Sequence, residues 1–124
     1  NLELSNNNIE IVNDFLDLMH IYKLDYTNTF IELEKNQLDK NIFNNLLIKY
    51  NLRKSKKYKN INPFIIPRNH IIENIINDSY NKNFLNLISF NKILKKPYEE
   101  NINNKEYTKK AEEHEKVHQT FCGT

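Results

Sequence analysis

The sequence predicts an all-α chain: about five amphipathic helices followed by a polar C-terminal tail. Three observations point there. Apolar residues recur at three- and four-residue spacing in successive segments, strand-like alternation is missing, and prolines at 63, 67 and 97 punctuate the chain between or after those segments. With 124 residues the chain is long enough for one domain with a modest core.

The first helix is predicted from Ile9, Val12, Phe15, Leu16 and Met19, which share one helical face, with Asn8 as its N-cap. A second, short helix covers about residues 27–34, with Asp25 near its start and Phe30 and Leu33 facing inward. The third carries Ile42, Phe43, Leu46, Leu47 and Tyr50 and fades into the cations Arg53, Lys54, Lys56, Lys57 and Lys59. Residues 60–67 contain Asn62-Pro63 and Ile66-Pro67, and a residue before proline is pushed out of the helical region, so this stretch is an extended, ordered connection.

Pro67 suits a first helical turn, and the stripe Ile71, Ile72, Ile75, Ile76 that follows defines the fourth helix. A fifth spans residues 81–94, with Phe84, Leu85, Leu87, Ile88, Ile93 and Leu94 broadly inward, and Pro97 prevents its continuation. From Tyr98 the chain turns polar, and residues 106–119 are rich in Lys and Glu, with almost no apolar surface to bury. The expected division is a helical body over residues 1–97 and a polar tail over 98–124, ending in Cys-Gly-Thr. No internal repeat at solenoid periods is visible.

Composition removes several function classes. A formal charge of +2 lacks the basic excess of a phosphate-binding domain, so nucleic acid is not expected as a partner. No apolar run approaches the roughly 20 residues that span a bilayer, and no signal peptide is seen, so no membrane is expected either. The single cysteine, Cys122, has no partner within the chain. One glycine cannot build a phosphate cradle, and neither a Walker-type loop nor an Asp-Phe-Gly occurs. The richness in Asn, Ile and Lys is what A/T-rich codon usage produces. A first residue of Asn rather than Met points to sequence missing upstream.

The sharpest local pattern is His114-Glu115-Lys116-Val117-His118. On a helix, imidazoles four residues apart face the same way and can share a zinc ion, while the glutamate polarises a metal-bound water. Cys122 extends that face by one turn. A catalytic zinc also needs a third ligand in a dry, rigid cleft, and this motif lies in a Lys/Glu-rich tail, so coincidence in a solvated segment is the competing reading. His70 opens the most apolar helix and is either a base or a capping and packing residue. His20 closes the first helix, where a cation is favoured, and reads as structural. The cations at 53–59 are either phosphate contacts or a solvated face. Cys122 is an exposed thiol, either reactive beside a group that lowers its pKa or inert.

Four segments together resemble the C-terminal third or so of the selenoprotein O (YdiU) family, protein adenylyltransferases with a kinase-like (pseudokinase) fold. They are Asp25-Tyr26-Thr27-Asn28-Thr29-Phe30; Asn62-Pro63-Phe64-Ile65-Ile66-Pro67-Arg68-Asn69-His70 with Glu73 one turn on; Lys96-Pro97-Tyr98; and Thr120-Phe121-Cys122-Gly123-Thr124. Their order and approximate spacing fit over nearly the whole chain. Residues 107–119 depart from the family, whose bacterial members tend to have a proline-rich run there, and residues 43–53 match only loosely.

The resemblance implies that the full protein moves AMP from ATP onto Ser, Thr or Tyr hydroxyls of protein substrates, with Mg or Mn as the divalent metal. It implies that this chain is the helical C-terminal region beside an upstream kinase-like domain, which is its first partner. The ATP and metal ligands of the family lie upstream of Asn1, so no catalytic residue and no bound cofactor is expected here. Asp25, Asn28, Asn62, Pro67, Arg68, Asn69, His70 and Glu73 are family-motif positions without an assigned role. Cys122 takes the position of a terminal thiol or selenocysteine linked to redox control, and its disulfide partner would be an upstream cysteine. The location implied is cytoplasmic for a bacterial protein and mitochondrial for a eukaryotic one. Two alternatives stand beside this reading: a zinc-dependent hydrolase on His114 and His118, and a non-catalytic helical interaction module.

Overall fold

The computed structural model describes residues 6–51 and 60–115. Five α-helices appear in the expected order: α1 (Asn6–Ile21), α2 (Tyr26–Lys35), α3 (Lys40–Lys49), α4 (Asn69–Tyr80) and α5 (Leu85–Leu94), followed by two 3₁₀ helices, Ile102–Thr108 and Glu113–Glu115. No strand occurs among the described residues, and the chain is all-α. None of the described helices is long and apolar enough to cross a membrane.

The chain divides into two compact units, Asn1–Asn62 and Pro63–Thr124, each with its own apolar cluster where one small core was expected. In the first, α1 packs on α3, and Phe15, Met19, Phe43 and Leu46 are buried. Phe15 stacks on Phe43 with ring centroids 5.0 Å apart and meets Phe30 edge-on at 5.5 Å. The face of α1 differs from the expected one. Phe15 and Met19 point inward with Leu18 beside them, while Ile9, Val12 and Leu16 lie exposed on a second apolar stripe. Asn8 falls inside the helix, which starts two residues earlier than its proposed cap.

Asp25 is the N-cap of α2, and its side chain accepts from the Asn28 amide at 2.9 Å. The buried Thr29 sends its hydroxyl to the Asp25 carbonyl at 2.8 Å, so the one buried polar side chain of this helix is satisfied. With a single glycine in the chain, left-handed positions fall to other residues. Asn36, at φ 55°, closes α2, and its amide reaches the carbonyls of Glu32 and Leu33. Asn51 and Asn60 also have positive φ, as asparagine tolerates this region better than most non-glycine residues.

In the second unit α4 packs on α5, and Ile65, Ile71, Ile75 and Phe90 form the buried cluster. The stripe of α4 is as expected for Ile71 and Ile75, with Ile72 partly buried and Ile76 largely exposed. Helix α5 turns a different side inward. Its buried residue is Phe90, flanked by Ile93 and Leu94, while Phe84, Leu85, Leu87 and Ile88 are exposed. The helix is apolar on most sides, so periodicity did not say which side would face the core. The segment after Tyr98 also contributes to the core: Tyr107 packs on Phe90 with centroids 5.1 Å apart.

Phe43 is 1% exposed and centres the first cluster. Phe43→Ala is therefore expected to cost about 3–5 kcal/mol, which urea unfolding followed by circular dichroism will register as a large fall in midpoint.

Candidate functional site

The extended segment from Asn60 to Arg68 holds three of the positions singled out by motif, Asn62, Pro67 and Arg68. Prolines at 63 and 67 keep it out of a helix, so its backbone donors have no intrahelical partners and must be satisfied from elsewhere. Within the first unit the acceptor is Glu34, on the last turn of α2. Its carboxylate takes the Asn60 amide, the Asn62 amide at 3.1 Å and the Asn62 side-chain nitrogen at 2.9 Å. The same Asn62 nitrogen also donates to the Phe30 carbonyl at 3.2 Å. Burial pushes the Glu34 carboxyl up, but donors from Asn62, Asn60 and Ile61 outweigh it and hold the group below its ordinary value. Sequence reasoning passed over Glu34. The signal that pointed to it was the pair of asparagines one and three residues before Pro63, whose donors need an acceptor.

In the second unit the acceptor is the Pro97 carbonyl, which takes the Phe64 amide at 2.7 Å and the Ile65 amide at 3.1 Å. Two motif segments quoted separately from the sequence, residues 62–70 and 96–98, are thereby brought together. Arg68 is the N-cap residue of α4 without a side-chain capping bond, and its Nε is buried. Pro67 precedes the cap rather than filling the first helical turn. Asn69 and Glu73 are exposed, and His70 is half-buried.

His70 borders a cleft of about 350 Å³ in this unit, whose walls include Asn74, Asn86, Tyr107, Lys109 and Glu112. The cleft offers an imidazole, two carboxamides, a phenol and both signs of charge. Burial first, and Glu106 second, push the Tyr107 phenol up, so it stays a protonated donor. This set is able to hydrogen-bond a polar group.

A second polar cluster joins α1 to α3. Lys49 donates to Asp14 at 2.8 Å and to Glu10 at 3.4 Å, and the Tyr50 hydroxyl donates to Asp14 at 2.7 Å. The Lys49 and Tyr50 bonds hold the Asp14 carboxyl below its usual range. Lys49 also sits 4.6 Å from the centre of the Tyr50 ring. The cluster is solvent-exposed and reads as a surface tie between helices.

His114 lies on the three-residue 3₁₀ helix Glu113–Glu115, exposed, with Nδ1 3.5 Å from Glu112. His118 and Cys122, like the cations at 53–59, lie outside the described residues. Among the described residues no three His, Cys, Asp or Glu side chains come together to hold a metal.

Comparison with known proteins gives consistent matches. The chain is 30% identical over 130 residues to a protein nucleotidyltransferase YdiU of Clostridium perfringens, covering 92% of this chain and 26% of that protein. It is 30% identical over 131 residues to the YdiU of Alcanivorax borkumensis, covering 92% and 27%. For the YdiU of Maridesulfovibrio salexigens the identity is 33% over 139 residues, covering 93% and 28%. The chain belongs to the YdiU family. It spans about a quarter of the length of the YdiU proteins it matches. No family model and no solved structure matches it. Within this YdiU segment, the Asp25 side chain caps the backbone of α2 and the Asn62 side chain bonds the Phe30 carbonyl, while His70 borders a cleft.

A carboxyl held below its ordinary value of 4.5 stabilises the fold fully above that pH, and the contribution disappears as pH falls through the lower folded value. Stability of the chain is accordingly expected to drop below pH 4.5, and Glu34→Gln to flatten that drop. Glu34→Ala is expected to cost about 1 kcal/mol and to speed hydrogen exchange at the Asn60 and Asn62 amides, which NMR reads directly.

Proposed function

We propose that this chain is the C-terminal helical portion of a protein adenylyltransferase, which transfers AMP from ATP to Ser, Thr or Tyr hydroxyls of other proteins. In that reaction the hydroxyl oxygen bonds to the α-phosphorus, pyrophosphate leaves, and the hydroxyl proton passes to a base. In this reading the ATP site and its Mg or Mn belong to a kinase-like domain in the rest of the polypeptide. The chain contributes packing and the extended segment at residues 60–68. The observation that carries the reading is the match over 92% of the chain to about a quarter of proteins named protein nucleotidyltransferase. The mixed-charge cleft, the structural roles of Asp25 and Asn62, and the formal charge of +2 are consistent with a supporting part rather than a nucleotide site.

The test is transfer of labelled AMP in the presence of ATP and Mg²⁺ or Mn²⁺. The 124-residue chain is expected to give none, and the polypeptide that joins it to its kinase-like portion is expected to label protein substrates. Labelling by the chain alone overturns the reading, as does an inert longer polypeptide. In the longer polypeptide Cys122→Ser is expected to remove sensitivity of transfer to oxidant, and an unchanged response counts against a redox role for Cys122.

A further inference from the structure

Helix α5 carries more apolar surface than its own unit uses. Phe90, Ile93 and Leu94 serve the cluster around Ile65, Ile71 and Ile75. Phe84, Leu87 and Ile88, at i, i+3 and i+4, form a second stripe roughly 120° around the helix. They are 50%, 45% and 52% exposed, and Leu85 beside them is 72% exposed. Charge is scarce there as well. Lys82 is the single charged residue between positions 79 and 91, in a chain that is 27% charged. Loss of charge with gain of aromatic and aliphatic side chains marks the centre of a protein interface, not a solvated face.

We infer that the Phe84, Leu87 and Ile88 stripe docks the chain onto the remainder of its own polypeptide, roughly three quarters of the length seen in its relatives. Two features favour this occupant over a second copy or a passing partner. The relatives carry that remainder on the same chain, so it is present at high effective concentration and needs no charged rim to steer encounter. Permanent interfaces are the more hydrophobic class, and this stripe has no charge on it. The inference rests on the reading of the chain as part of a larger protein, and it places the seam on α5.

The experiment compares Leu87→Glu combined with Ile88→Glu in the 124-residue chain and in the longer polypeptide, with Ser89→Glu as an exposed control off the stripe. The chain alone is expected to sediment as a monomer and to keep its helicity and Tm in the double variant. The longer polypeptide is expected to lose several degrees of Tm in the double variant and nothing with Ser89→Glu, and its α5 amides are expected to exchange faster. An unchanged Tm in the longer polypeptide overturns the inference. So does a Tm loss in the chain alone, or a dimer of the chain that the double variant dissolves. AMP transfer assayed on the same samples separates the two readings: Tm loss without wild-type transfer sinks the function and keeps the seam, while transfer without Tm loss does the reverse.

Discussion

Residues 60–68 cannot be helical, and the structure is organised around what that requires. Two prolines remove backbone donors and force their neighbours into extended conformations, so the remaining amides of the segment need acceptors supplied from elsewhere. One is the Glu34 carboxylate, which gathers Asn60 and Asn62. The other is the Pro97 carbonyl, itself freed by the end of α5, which gathers Phe64 and Ile65. The second pairing sets Ile65 into the base of the cluster formed with Ile71, Ile75 and Phe90. An unmade bond at any of these donors costs more than the bond itself contributes, which is why these partners are specified so tightly.

Two of the residues that carry the family resemblance, Asn62 and Pro97, take part in this directly, and others support it. Asp25 and Asn28 form the cap that starts α2, the helix that presents Glu34. Asn62 bonds through both its amide and its side chain, and Pro97 contributes a carbonyl and a helix stop. His70 stands apart, since it borders a cleft.

Each unit buries few side chains. The first relies on Phe15, Met19, Phe43 and Leu46, the second on Ile65, Ile71, Ile75 and Phe90. Units of this size hide a smaller share of their surface than larger domains, and their stability is modest. The tie between Lys49, Asp14 and Tyr50 adds little at an exposed site, so aromatic packing around Phe15 carries the first unit. Small cores leave apolar residues over, on α1 as well as on α5, and these leftover faces carry the information about what else the chain touches.

Taken alone, the sequence determined the number and order of the helices, the Asp25 cap, the inward stripe of α3, the break at residues 60–67 and the family. Each follows from local rules: three- and four-residue spacing, capping chemistry, the missing proline donor, and short motifs in order. Tertiary structure decided which of two apolar sides α1 and α5 turn inward, and it drew Glu34, Phe90, Tyr107 and the Pro97 carbonyl into partnerships across the chain. Periodicity reports that a helix has an apolar side; where it has two, the choice belongs to the surface it packs against. A carboxylate on one helix likewise has no local mark showing that it will cap a loop 26 to 28 residues later.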